Sequence, residues 1–271
     1  MTKIYTSTLL ILVLSSIIFH SCKDDAKAMS KENLIPKKLN LTNDTLKIEN
    51  SEKLKTIEIG NYEVFEKLPK FKIDSTSELE FSKQKRTVDF QINKIDRKNG
   101  YFYIQTSKEK LKFKEIDESS KGNYGLKGNE YYGFDKNLKM YSVEKQWISD
   151  YLGFAEMTLI DSITNYKYKI SSFGDWSISV PKLSTNKKFM VYFQNPEYES
   201  GTLSIAILKI NNESRNDKFL TEYESCFIDN GLSIEEIRWK DDSTFFIKAY
   251  SEKRTDENGK EIVKYKYFVS K

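Results

Sequence analysis

The stretch TVDFQINKIDRKNGYFYIQT, residues 87–106, decides the fold class. Val88, Phe90 and Ile92 alternate with polar residues, the period of a half-buried strand. Asn99-Gly100 follows, and both residue types accept the positive φ of a type I′ turn. Tyr101-Phe-Tyr-Ile-Gln-Thr106 then returns along the first arm. The expectation is a β-hairpin with a strand over 87–95, a turn at 99–100 and a second strand over 101–106.

The same grammar extends outward. Residues 110–116 alternate, 188–193 and 202–210 are apolar and β-branched, and 244–250 and 262–269 flank Glu257-Asn-Gly-Lys260, a second hairpin turn. About 14–16 strands are legible, separated by turn residues at intervals of roughly 8–15, which points to an antiparallel sandwich, barrel or propeller. Helix is scarce. Residues 142–151 read as a short helix or as a strand and turn, and 213–224 are equally open. With 17 Tyr, 17 Phe and 3 Trp, nearly all from Tyr62 onward, the chain can close a core. Residues 23–52 carry no aromatic residue and many Lys, Asp, Glu and Asn, the composition of a flexible tether with a short strand at its end.

The first residues have a different character. Lys3 precedes LLILVLSSIIFHSCKDD, residues 9–25. The apolar run from Thr8 to Phe19 suits a secretory signal and is shorter than the roughly 20 residues that span a bilayer. Phe19-His20-Ser21-Cys22 resembles the lipobox of bacterial lipoproteins, although that family favours an aliphatic residue at the position of Phe19 and a small one at that of His20. The resemblance implies cleavage before Cys22, a diacylglycerol on its thiol and a membrane-tethered mature chain, since two or more acyl chains anchor stably. An ordinary signal peptide with an incidental cysteine, and an uncleaved anchor, are the other readings. No Asp follows Cys22 directly, which departs from the inner-membrane retention pattern. Lys23-Asp-Asp25 is similar to the surface-export signal of some Gram-negative lipoproteins. The expected organisation is a signal peptide over 1–21, a lipidated tether over 22–52 and a β-rich domain over 53–271, divisible near 128. The expected location is the outer membrane of a cell envelope.

Composition excludes several chemistries. The only histidine is His20, inside the expected signal. The mature chain therefore has no imidazole for a Ser-His-Asp or Cys-His nucleophile, nor for histidine-ligated zinc. With Cys22 acylated, Cys226 stands alone, so no intramolecular disulfide is expected, and a buried, inert thiol is. The net charge is +4 with Lys and acids interspersed, so there is no basic stripe for nucleic acid. No Gly-rich phosphate loop occurs. No catalytic residue, no metal and no cofactor beyond the covalent lipid are expected.

Pro181–Phe193 resembles the strand–turn–strand core of WD-type β-propeller blades, with Asn186-Lys187 in the turn. Residues 237–250 repeat the shape, and 130–142 resemble a blade hairpin turning at Lys136-Asn137. The resemblance covers residues 130–270, lacks the Trp-Asp dipeptide, and implies a propeller-like meander of four-stranded antiparallel sheets. A β-sandwich or an irregular two-part β domain is the alternative.

Trp147 and Tyr151 near Gly153, Trp176 after Phe173-Gly-Asp175, and Trp239 before Asp241-Asp242 are the ligand-binding candidates. Indole and phenol rings beside acids suit sugar stacking; core packing is the competing role. Asp161, Asp175, Asp241 and Asp242 supply the acids a glycosidase pair would need. Asp241-Asp242 reads more simply as turn chemistry, and Asp256-Glu-Asn-Gly259 as a hairpin turn rather than a calcium loop. The expected function is a non-enzymatic envelope lipoprotein that binds a protein or glycan partner through loops at one end of a β scaffold. The alternatives are an envelope assembly or toxin-neutralising protein, and a carboxylate-based or metal-assisted extracytoplasmic hydrolase.

Overall fold

Asn99 and Gly100 do form a two-residue turn with φ of 54° and 71°. The strand that enters it is β4 (Asp96–Lys98), paired with β5 (Tyr101–Gln105), which pairs in turn with β6 (Lys110–Lys114). The computed structural model describes residues 48–50, 54–60, 62–87, 89–117, 119, 126–170, 179–196 and 201–271. The signal, Cys22 and most of the tether lie outside them. Strand β1 (Ile48–Asn50) lies at the end of the segment read as tether and runs parallel to β6.

Four sheets follow one another along the chain, none of them closed. The first has the order β1-β6-β5-β4. The second joins β7 (Lys127–Asp135), β8 (Met140–Ser149), β9 (Leu152–Asp161) and β10 (Lys167–Ile170), with β2 (Thr56–Ile59) parallel to β10. The third comprises β11 (Lys182–Leu183), β12 (Phe189–Gln194), β13 (Thr202–Ile210) and β14 (Leu220–Asp229). The fourth comprises β15 (Ser233–Trp239), β16 (Phe245–Thr255) and β17 (Glu261–Ser270), and is completed by β3 (Ile73–Thr76), antiparallel to β17. The fold is all-β, a propeller-like meander of antiparallel sheets. The two parallel pairs arise because β1 and β2 come from far earlier in the chain than their partners. The β3–β17 pair ties an early segment of the chain to its last strand.

Burial explains the sequence patterns. Three hydrophobic clusters join first sheet to second, second to third, and third to fourth. The outer first sheet shows one buried and one half-exposed face, so β5 and β6 alternate. The third sheet is covered on both faces, so β13 reads TLSIAILKI with nearly every residue buried. Helix α1 (Tyr62–Lys67) lies against β14. Helix α2 (Glu78–Ser82) lies against β16 and β17. Its N-terminus is capped by Ser77, whose hydroxyl accepts the Glu80 N–H at 3.2 Å. Phe81 packs 5.5 Å from the Tyr267 ring, under the Arg238 guanidinium at 4.3 Å.

Residues 87–95 depart from the strand expected there. Val88 lies outside the described residues. Phe90 has φ of 44° and is buried in the cluster between second and third sheets, while Ile92 is 77% exposed. Only Gln91 makes a bridge, to Phe134. The segment is a strap across the edge of the second sheet, admitted by Gly133. A Cβ there would stand 2.0 Å from the Phe90 carbonyl oxygen. Alternation placed Phe90 and Ile92 on one face; the left-handed backbone at Phe90 turns the chain there, so the first is buried and the second exposed. The open segment 142–151 resolves as β8 and a turn, and 213–224 as a turn leading into β14.

Candidate functional site

Strands β8 and β9 form the hairpin that carries Trp147 and Tyr151. Trp147 pairs with Phe154 across the ladder and Ser149 with Leu152, leaving Asp150 and Tyr151 as the two turn residues. Their φ values are 50° and 67°, the same turn geometry as Asn99-Gly100. That earlier turn uses the residue types that tolerate it; this one holds a tyrosine where glycine is preferred. A left-handed backbone costs an L-residue roughly 1–2 kcal/mol. Such strain persists where the side chain is needed for something else.

The side chains point to that use. Tyr151 is 78% exposed and Leu152 42%. Behind them the Trp147 and Phe154 rings stack, with centroids 5.5 Å apart and planes 15° apart. The Lys145 ammonium sits 5.4 Å from the indole centroid. The Ile148 N–H donates to the Leu126 carbonyl at 3.1 Å, so the base of the tip is held by the chain entering β7. The hairpin thus carries a half-buried stacked pair with a cation beside it, and an exposed tyrosine in the turn beyond. It can stack on a sugar ring or receive an apolar protein side chain.

The other candidates lie elsewhere. Trp176 and Asp175 fall outside the described residues, as does Cys22. Trp239 is 4% exposed in the cluster between third and fourth sheets. It packs edge-on against Phe245 and donates its indole N–H to the Lys182 carbonyl at 2.9 Å. It is a core residue. Asp161 is buried under Arg215. Asp241 accepts the Ser243 and Thr244 N–H groups, closing its own turn. Asp242 accepts from the Ser184 hydroxyl at 2.7 Å and the Asn186 N–H at 2.9 Å, binding the third sheet to the fourth. Asp256 accepts from Asn258 and Lys260 within its hairpin. Cys226 is half-buried, and burial pushes its thiol above the usual range despite nearby Lys70.

Sequence reasoning missed a buried acid. Glu144 lies directly across from Glu130 on β7 and is 3% exposed. Burial raises its pKa, opposed by hydrogen bonds from Tyr132 and from Gln146 Nε2 at 3.2 Å. Tyr132 reaches it from the register shift between Tyr131 and Gly133, a bulge with no clear local signature. A carboxyl whose pKa is higher in the folded state favours folding only while protonated. Its contribution is present below the ordinary glutamate value near 4.3 and fades as pH rises past it. Glu144→Gln should therefore stabilise the protein at pH 7 by up to about 1 kcal/mol, the scale of one buried polar interaction. The gain should disappear at pH 4, as read by urea melts at the two pH values.

No protein-family model matches the chain, and no solved structure matches it. Among curated proteins it is similar to the RNA polymerase sigma factor SigI1 of Acetivibrio thermocellus, at 26% identity over 149 residues. The aligned part spans 54% of this chain and 57% of that protein.

Proposed function

We propose that the protein is a membrane-anchored extracytoplasmic lipoprotein that acts as a non-enzymatic binding protein, engaging a glycan or protein partner with the β8–β9 hairpin tip. The observation that carries this reading is the left-handed Tyr151, held exposed at a conformational cost beside the stacked Trp147–Phe154 pair. The address rests on the lipobox-like Phe19–Cys22 and the apolar run before it. The acids Asp161, Asp241 and Asp242 are each committed to structural hydrogen bonds, which favours binding over hydrolysis. The partial similarity to a sigma factor does not favour transcription, because basic and acidic residues are interspersed along the chain.

Tyr151→Gly tests the tip. Glycine relieves the turn, so the variant should be more stable by about 1 kcal/mol. It should also lose at least tenfold in affinity for whichever ligand of a glycan panel or envelope extract the intact domain retains. Undiminished binding by Tyr151→Gly and by Trp147→Ala removes the tip from the function. Incorporation of labelled palmitate by the native chain but not by Cys22→Ser tests the anchor separately.

A further inference from the structure

A second site is lined by residues distant in sequence from the β8–β9 turn. A cleft of about 460 Å³ opens where three segments meet: residues 83–87 and Asp89 after α2, the β11–β12 turn at 183–187, and the β15–β16 corner at 239–240. Its volume is that of a small-molecule site. Each wall is hydrogen-bonded to the next. The Leu183 N–H donates to Asp89 Oδ2 at 3.1 Å. The Trp239 indole donates to the Lys182 carbonyl at 2.9 Å, and the Ser184 hydroxyl to Asp242 at 2.7 Å. Arg238 Nη1 donates to the Gln84 carbonyl at 3.2 Å and closes the ring. The cleft is therefore set by the packing of the third and fourth sheets and needs no rearrangement to receive a ligand.

Its chemistry is lopsided. Lys85, Lys187 and Lys240 line it, and none of them makes an ion pair among the described residues. The one carboxyl among the lining residues is Asp89, whose pKa burial raises. A carboxylate offers about four acceptor positions, and the Leu183 N–H fills one. Three ammonium groups without an ion pair among the described residues, of which Lys240 lies in the field of Asp241, attract an anion to the cleft. The half-buried Asp89 carboxylate beside them suits the hydroxyl groups of a sugar ring.

We propose that this cleft binds an acidic saccharide, its carboxylate held among Lys85, Lys187 and Lys240 and its hydroxyls donating to Asp89. The proposal is independent of the hairpin tip. The test is calorimetric titration of the full chain, in detergent, with trigalacturonate, maltotriose and inorganic phosphate. Trigalacturonate should bind, at least tenfold more tightly than maltotriose, with affinity falling as salt is raised. Lys85→Ala/Lys240→Ala should weaken it at least tenfold without shifting the melting temperature. Asp89→Asn should weaken it while leaving the salt dependence intact, and Tyr151→Gly should leave it unchanged. Equal binding of maltotriose, equal affinity for phosphate alone, no binding of trigalacturonate at millimolar concentration, or full affinity in the double lysine variant each overturns the assignment.

Discussion

Arg215→Ala should destabilise the protein by about 3–5 kcal/mol, the usual consequence of stripping a buried charge of its partner. The side chain of Asp161 is fully buried at the end of β9. Arg215 Nη1 donates to both its oxygens, at 2.9 and 3.0 Å, and the Ile163 N–H adds a third bond at 2.8 Å. Arg215 Nη2 also reaches the Leu138 carbonyl, and the guanidinium lies 4.9 Å from the Phe219 ring centroid. One side chain from the β13–β14 connection thus secures two turns of the second sheet. Without it the buried Asp161 carboxylate loses its counter-charge and two of its hydrogen bonds. Urea denaturation at pH 7 measures the loss. Asp161→Asn in the same background should recover part of it, because the neutral amide no longer demands a counter-charge. A single-variant loss below 1 kcal/mol would mean that the pair is dispensable.

Gly133→Ala is the second large effect, and it should reach the cleft as well as the fold. Gly133 has φ of 131°, and an added Cβ would meet the Phe90 carbonyl oxygen at 2.0 Å and the Gln91 carbonyl carbon at 2.8 Å. Both obstacles are backbone, so the strap has to lift. That breaks the bond from the Phe134 N–H to the Gln91 carbonyl at 2.9 Å and withdraws Phe90 from the core. Overpacking of this kind costs about 1–3 kcal/mol, and the lost burial of a phenylalanine adds to it. Asp89 moves with the strap and releases the Leu183 N–H, so trigalacturonate affinity should fall with stability. Gly100→Ala is the control. It also has positive φ, at 71°, yet meets nothing within 4 Å, and it should cost only about 1 kcal/mol. Equal effects of the two substitutions would show that the strap does not depend on the close approach.

Acid should loosen the contact between Arg86, in the segment after α2, and the fourth sheet. Burial opposes ionisation of Glu236, but hydrogen bonds and charge from Arg86 and Arg238 outweigh it and hold the pKa at about 2. A depressed carboxyl contributes stability above the ordinary glutamate value near 4.3 and loses it as pH falls toward 2. Glu236 is partly exposed, so solvent screening reduces the contribution well below what the shift alone implies. Thermal melts from pH 5 to pH 2 should therefore show a smaller decline in Glu236→Gln than in the native chain.

The elements differ in how legible they were. Strands β5 and β6 were readable because they edge the stack, where one face is covered and the other wet. Strand β13 was readable as a largely apolar run because sheets cover it on both sides. The hairpins at Asn99-Gly100 and Glu257–Lys260 carry their own turn chemistry. Trp147 and Tyr151 were picked out by residue type, but Trp239, of the same type, is core, because exposure depends on which sheet arrives in front of a side chain. Nothing in the local sequence around Asp89, Lys187 or Lys240 marks them as neighbours, since they come from three distant segments.

Period-two alternation, turn residues and aromatic content are properties of short stretches, so the chain alone was enough to determine an all-β meander and its main hairpins. Which strands of the first 76 residues complete which sheet, the strap at 87–95, the burial of Glu144 and the three-walled cleft were decided only in the folded molecule. Each depends on a contact between residues far apart in sequence, such as Phe90 against Gly133 or Asp89 against Leu183, and steric fit and desolvation at such contacts exist only once the sheets have stacked.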